Sequence, residues 1–317
     1  MNKIEKIDAV VLAGDKIASK NILGQNKLFL EIDGIPLLFF VLRALEGVER
    51  IGKICLAGPE KPIRELLRKY SGYLRNNKEL TVIEQKENMY KNFWSAFTQT
   101  IDGYREGLET RDPGVREKLV LVAPCDLPFI TSEEIDEFLN GCDVDELDYC
   151  LGMTEERFLE KFYPEGRKPG IKMAYLYLRE GNFRLNNLHL VRPFRVYNRE
   201  YIERIYECRY QKNIKNIIKV MFDFFSFQGV GPRAIMLYAL LEFSILFRYI
   251  GLSSLAGATK NMVSQSEIRN FVSKLLKTRI DIVQTTIGGS AVDVDNETDF
   301  ETIKTRFREW TEILKKG

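Results

Sequence analysis

The sequence predicts an α/β protein built on a mostly parallel, doubly wound sheet, with a helical insertion subdomain over residues 198–278. Three observations carry this. Apolar runs of strand length fall at residues 8–12, 53–58, 80–84 and 119–123. Stretches with helical spacing lie between them, which is the alternation that parallel strands with crossover helices require. After residue 141 the simple alternation stops, and residues 198–278 carry long apolar and aromatic helical stripes instead.

The first run, Asp8-Ala9-Val10-Val11-Leu12-Ala13-Gly14, is ended by a glycine and followed by a polar loop with Lys16 and Lys20. Such a loop can turn its amides and ammonium ions toward a triphosphate, because glycine permits close backbone approach and oriented N–H groups bind anions. Lys27 precedes Leu28-Phe29-Leu30, which reads as a second short strand that would hold the lysine against phosphate charge. An ordinary strand and loop with solvated lysines accounts for the same residues.

Leu12-Ala13-Gly14, Lys27 and Gly34-Ile35-Pro36-Leu37 together resemble the opening of the MobA-like nucleotidyltransferases, a family of GT-A-type, Rossmann-like α/β enzymes. The resemblance departs at Asp15, where the family has a second glycine, and in the loop arginine, for which Lys16 or Lys20 stands in. It implies a cleft in which Leu12, Ala13, Gly14, Lys16, Lys20 and Lys27 meet a nucleoside triphosphate.

Pro36 opens a helix in which Leu37, Leu38, Phe39, Val41, Leu42 and Leu45 keep helical spacing. Residues 62–74 read as an amphipathic helix with basic residues outward. Gln85, Asn88 and Asn92 follow the strand at 80–84, so they can face a base or ribose or simply cap the next helix. Residues 119–123 form a central strand, and Asp126 lies just past its carboxyl end. Thr131 and Glu134 fit a capping box for the helix that follows. Asp126-Leu127-Pro128 matches the family's D-x-P motif, which implies that Asp126 binds catalytic magnesium.

Strands are expected at 147–153 and 172–178, then a segment with Arg184, Asn187 and the sole histidine, His189. By position this is the acceptor side of a GT-A nucleotidyltransferase, where the sheet gains an antiparallel strand. Arg184 can grip an acceptor phosphate through its planar fork, with Asn187 beside it, whereas His189 reads as a packing residue. The insertion holds an apolar stripe opposed by Lys212, Lys215 and Lys219, and then a nearly continuous apolar run at 234–247. A buried helix of a subdomain, a homodimer surface and an interfacial membrane contact all account for it. A strand at 280–286 leads to Asp293-Val294-Asp295 and Asp299-Phe300, which resemble the family's closing D-x-D…D-L motif. That implies Asp295, with Asp293, as the remaining metal ligands. Residues 1–197 and 279–317 then make up the catalytic domain.

Composition bounds the alternatives. Forty-seven basic residues face 45 acidic ones, for a net charge of +2, so no electrostatic case for nucleic acid arises. Five cysteines without C-x-x-C spacing read as reduced core residues of a cytoplasmic protein, and no signal peptide or transmembrane segment is expected. A single histidine argues against a Ser-His-Asp system or a His-based metal site. The expected activity is magnesium-dependent transfer of a nucleotidyl group, from CTP or GTP, to a small or lipid-like phosphorylated acceptor. A GT-A-type glycosyltransferase using Asp293-Val294-Asp295 as a D-x-D clamp is the alternative, followed by a non-catalytic nucleotide-binding relative.

Overall fold

A computed structural model describes residues 6–14, 22–171, 173–203 and 258–316, together with positions 236 and 240. The described residues form an eight-stranded sheet. Strands β1 (Ile7–Leu12), β4 (Ile51–Gly58), β5 (Leu80–Glu84) and β6 (Val120–Pro124) run parallel, with β1 between β4 and β6. Beyond β6 lie β9 (Gly181–Val191), then β7 (Tyr149–Glu155) and β10 (Ile280–Thr285), with the short β8 (Leu176–Leu178) on β9. Strand β9 is antiparallel to both of its long neighbours, as expected for this region. A separate ribbon pairs β2 (Glu31–Ile32) with β3 (Ile35–Pro36). Asp33 and Gly34 both adopt positive φ at its turn, which suits an Asp-Gly pair.

Alternation along the strands sends side chains to both faces of the sheet, so each face acquires a helical layer. Ala9, Val11, Leu56 and Leu121 join helices α1 (Leu37–Gly47) and α5 (Ser132–Gly141) in one core. Val10, Cys55, Ala57, Val120 and Val122 point the other way, toward α3 (Met89–Gln99). The remaining described helices are α2 (Glu60–Lys69), α4 (Pro113–Arg116), α6 (Gln265–Leu276) and α7 (Glu297–Lys316). Helix α7 inserts Phe300, Ile303 and the fully buried Trp310 into a satellite core with Phe129 and Phe162. The doubly wound sheet expected from the alternation is therefore present.

Four local expectations are corrected. Residues 27–29 form a 3-10 turn rather than a strand, because the Asn26 side chain accepts from Leu28 N at 2.9 Å and caps it. The helix expected at 62–74 runs from Glu60 to Lys69. The capping box at α5 is half-formed: Thr131 Oγ1 accepts from Glu134 N, but the Glu134 side chain turns inward. The extended segment read at 172–178 forms a strand at Leu176–Leu178, and position 172 lies outside the described residues.

Glu134 is fully buried, and its carboxylate accepts from Thr285 Oγ1, Gly288 N, Ser290 N and Ser290 Oγ at 2.6–3.1 Å. Burial pushes this carboxyl above the ordinary glutamate range, against the pull of those donors. The four bonds tie the segment after β10 to α5. Gly289 is required where that segment crosses the Phe129 carbonyl, since a Cβ there would collide with it.

Cys55, Cys125, Cys142 and Cys150 are buried free thiols, and Cys208 lies outside the described residues. Among the described residues no helix is long and apolar enough to cross a membrane. The two described ends of the 198–278 stretch return to the sheet. Asn198 Nδ2 donates to the Leu275 carbonyl at 2.8 Å, while Tyr201 and Leu276 share a core with Val122.

If the Glu134 cluster fastens the C-terminal segment, Glu134→Ala should cost about 3 kcal/mol in denaturant unfolding, because several buried donors lose their acceptor. A loss below about 1 kcal/mol would show that the segment is held by other contacts.

Candidate active site

Strands β1 and β6 are neighbours in register, Leu12 opposite Pro124, and Cys125 N donates to the Leu12 carbonyl at 3.1 Å. Their carboxyl ends therefore put Gly14 and Asp126 side by side, at the place where strand order departs in opposite directions from β1. The C-terminal segment arrives from the other side, and Val294 N donates to the Asp126 carbonyl at 3.2 Å. Lys27 completes the group. Its Nζ lies 3.0 Å from Asp126 Oδ2 and 3.5 Å from Asp295 Oδ1, although these residues are 99 and 268 positions away in the chain.

The electrostatics follow from burial and crowding. Asp126 is buried, and desolvation pushes its pKa up to about 6; Lys27 opposes this, while Asp293 and Asp295 add to it. Desolvation pulls the Lys27 ammonium down, but Asp126 and Asp295 outweigh it and hold its pKa above the ordinary lysine value. Lys27 is thus shared between Asp126 and Asp295, while Arg184 pairs with Asp293.

The other expected residues are placed less uniformly. Gly14 is closely approached by two carboxamides: a Cβ at that position would lie 2.8 Å from Asn92 Nδ2 and 3.4 Å from Gln85 Oε1. Ala13 is buried, with its N–H on the Ala57 carbonyl at 2.8 Å, so it supports the loop from beneath. Asn88 caps α3, accepting from Lys91 N at 2.8 Å, and donates to Glu203 Oε1 at 2.8 Å; it turns away from the cleft wall. Arg184 Nη2 donates to Asp293 Oδ1 at 2.7 Å and its Nε to the Ala291 carbonyl at 2.7 Å, so its fork is committed to the acidic segment. Lys16 and Lys20 lie outside the described residues.

Asn187 does reach the cleft, through a feature with no simple sequence mark. A bulge in β9 opposite Leu151–Met153 puts Asn187 at a φ of 62°, and its Nδ2 donates to the Ser290 carbonyl at 3.1 Å. Asn186 then faces inward and donates to Thr285 Oγ1 at 2.9 Å, opposite Gly152, where a Cβ would collide with its side chain.

Lys27, Asp126, Asp293 and Asp295 line one end of a cleft of about 700 Å3, together with Gly14 and Asn26. Its walls include residues that sequence reasoning passed over: Tyr90 and Trp94 on α3, Tyr149 on β7, and Arg199, whose guanidinium stacks 4.4 Å from the Trp94 ring centroid. Their helical and strand spacing matches ordinary core packing, so no signal in the sequence separates them from it. His189, read as a packing residue, lines the cleft with Nδ1 2.9 Å from the Tyr149 hydroxyl.

Burial holds the His189 imidazole down to about 4, against an unfolded value near 6.5. Between those values the unfolded chain binds the extra proton, so this residue's contribution to stability falls as pH drops from about 6.5 toward 4. The stability gap between the parent protein and His189→Gln should therefore shift against the parent across that window. A gap independent of pH would place the imidazole in contact with water.

Comparison with known proteins bears on the family of the chain. The family model described as "MobA-like NTP transferase domain" matches residues 9–224. A 2-C-methyl-D-erythritol 4-phosphate cytidylyltransferase from Chlorobium luteolum is 28% identical over 213 residues, 61% of this chain and 84% of that protein. A hypothetical transferase from Thermus thermophilus shares the fold at a TM-score of 0.61, with 19% identity over 93% of this chain and 99% of that one. A family match spanning over half its residues, on a sheet of the expected topology, makes this chain a member of the MobA-like NTP transferase family, whose enzymes are nucleotidyltransferases.

Proposed function

We propose that the enzyme transfers a nucleoside monophosphate from a nucleoside triphosphate, CTP or GTP, to a phosphorylated acceptor, releasing pyrophosphate. The observation that carries this reading is the meeting of Lys27, Asp126 and Asp295 at the ends of β1 and β6. The similar cytidylyltransferase supports CTP as donor and a phosphate monoester as acceptor.

An acceptor phosphate oxygen attacks the α-phosphorus in line; the new O–P bond forms as the bond to the β-phosphate oxygen breaks. An acceptor phosphate is already an anion near neutral pH, so the reaction needs neither a nucleophilic side chain nor a strong base. The protein's task is positioning and charge compensation. Lys27 meets the triphosphate and balances charge that builds on the departing pyrophosphate. Gly14 lets the loop backbone approach the phosphates, and Gln85 and Asn92 present carboxamides beside it to the ribose or base. Arg184 acts on the other partner of the reaction by holding Asp293 and Ala291, and with them the acidic segment, against the acceptor side.

The carboxylates suit a magnesium ion. Among the described residues no three or more His, Cys, Asp or Glu side chains form a ready-made metal cage. Magnesium, however, commonly takes one or two carboxylates and completes its shell with water and substrate phosphates. Burial raises Asp126 first, and Asp293 and Asp295 add to it against Lys27, so a further cation among these three carboxylates would relieve their mutual repulsion. Asp126 and Asp295 would hold it, with Asp293 beside them, and it would supply charge neutralisation at the α-phosphate.

The glycosyltransferase alternative places its metal on a D-x-D motif in mid-domain, whereas Asp293-Val294-Asp295 sits after the last strand and is paired with Asp126 through Val294. Asp126→Ala and Asp295→Ala should each reduce magnesium-dependent pyrophosphate release at least about 100-fold with little change in thermal midpoint. Near-parental release from either variant would remove that residue from the metal site.

Lys27→Ala should weaken triphosphate binding by roughly tenfold or more while leaving nucleoside binding nearly unchanged, since only a phosphate contact is lost. Calorimetry showing equal losses for both ligands would mean that the lysine supports the loop rather than the phosphates.

A further inference from the structure

The cleft does not stop at the carboxylates. It runs on between the sheet face and α3, into a chamber walled by Val122 and Val191 on the sheet, Phe93 on α3, and Pro193, Val196 and Ile202 on the segment that follows β9. The far wall is fixed by ring contacts: Phe194 meets Trp94 edge-on at 5.4 Å and Phe97 at 5.2 Å. Asn88 Nδ2 donating to Glu203 Oε1 at 2.8 Å joins the end of this segment to the start of α3. The polar groups along it are the Tyr149 hydroxyl and His189, already bonded to each other at 2.9 Å, with Tyr90 and Arg199 at its α3 side.

These walls discriminate by chemistry. A sugar or polyol body entering the chamber would give up water for aliphatic and aromatic surface, leaving most of its hydroxyls without partners. A hydrocarbon or ring body would gain from each methylene removed from water. The carboxamides of Gln85 and Asn92 lie beside Gly14 at the end of β1, where the donor nucleotide is placed. Arg199 covers one face of Trp94, so that ring does not offer a bare platform for a nucleobase.

Resting on the nucleotidyl-transfer reading for its location, we propose that this chamber is the binding site for the apolar body of the acceptor. The acceptor is then a phosphate monoester of an alkyl, isoprenoid-like or aryl alcohol carrying at most a hydroxyl or two, rather than a sugar or polyol phosphate. Its phosphate lies at the Lys27–Asp126 end and its body runs past Val122 toward Ile202. A single hydroxyl on that body can meet the Tyr149–His189 pair.

The test is calorimetric titration of n-alkyl phosphates from two to eight carbons, and of glycerol phosphate, into the intact chain with magnesium. It is run with and without a saturating non-hydrolysable CTP or GTP analogue. Affinity should rise about fourfold per methylene until the chamber is filled, with and without the analogue, and glycerol phosphate should bind no better than the shortest alkyl phosphate. Ile202→Asn should flatten the chain-length series while leaving the thermal midpoint within a few degrees, and the analogue's affinity within twofold, of the parent. A flat series in the parent, or a trend that disappears once the analogue is bound, overturns the proposal, the second because the chamber would then belong to the nucleotide. A persistent trend with no pyrophosphate released from CTP or GTP when any of these alkyl phosphates is offered as acceptor would instead overturn nucleotidyl transfer and leave the apolar site standing.

Discussion

The contact on which the rest depends is the one between Lys27 and the carboxylates of Asp126 and Asp295. Bringing these together costs free energy: Asp126 is desolvated, and the nearby acids repel it. No packing argument explains a buried aspartate at a strand end beside further acids. On the proposed nucleotidyl transfer a polyanionic substrate with a cation does, because its charges would complete what Lys27 and Arg184 balance in part. The arrangement would then be preorganised for charge that arrives with the substrate.

That preorganisation is built from outside inward. Glu134 grips the segment after β10 through Thr285, Gly288 and Ser290, Arg184 holds Asp293, and Asn187 holds Ser290. Two elements far apart in the chain, α5 and β9, thus fix one acidic segment, and Val294 then docks on Asp126. Residues assigned to acceptor binding from the sequence, Arg184 and Asn187, both spend hydrogen bonds on this segment. On the proposed reaction, any effect they have on the acceptor would run largely through the position of Asp293 and its neighbours.

Much of the frame was legible because its signals are local and periodic. Strand β5 fell at the expected residues, and the motif around Asp126 sits just beyond β6 as read. The turn at Lys27 was not legible, since a three-residue apolar run fits a strand or a 3-10 turn equally and the Asn26 cap decided between them. Glu134 followed Thr131 at capping-box spacing, yet its carboxylate was claimed by donors more than 150 residues away, which no local rule reports. The Asn187 bulge and the chamber walls likewise arise from pairing and packing across the sheet. Phe93, Val122, Val191 and Ile202 look like core residues from sequence because chemically they are, and only the open space beside them marks a site. The basic and aromatic residues of the 198–278 insertion, between Lys212 and Tyr249, read from sequence as candidates for acceptor binding or oligomerisation, lie outside the described residues.

The central claim is that a bond to the α-phosphate is made while pyrophosphate leaves. The most direct measurement follows separately labelled α- and γ-phosphates of CTP and GTP through a reaction with magnesium and an alkyl phosphate. Nucleotidyl transfer predicts that the α-label enters the acceptor product and the γ-label appears in pyrophosphate, in equal amounts. The γ-label in the acceptor, or both labels remaining in unreacted nucleotide with every acceptor offered, would contradict it.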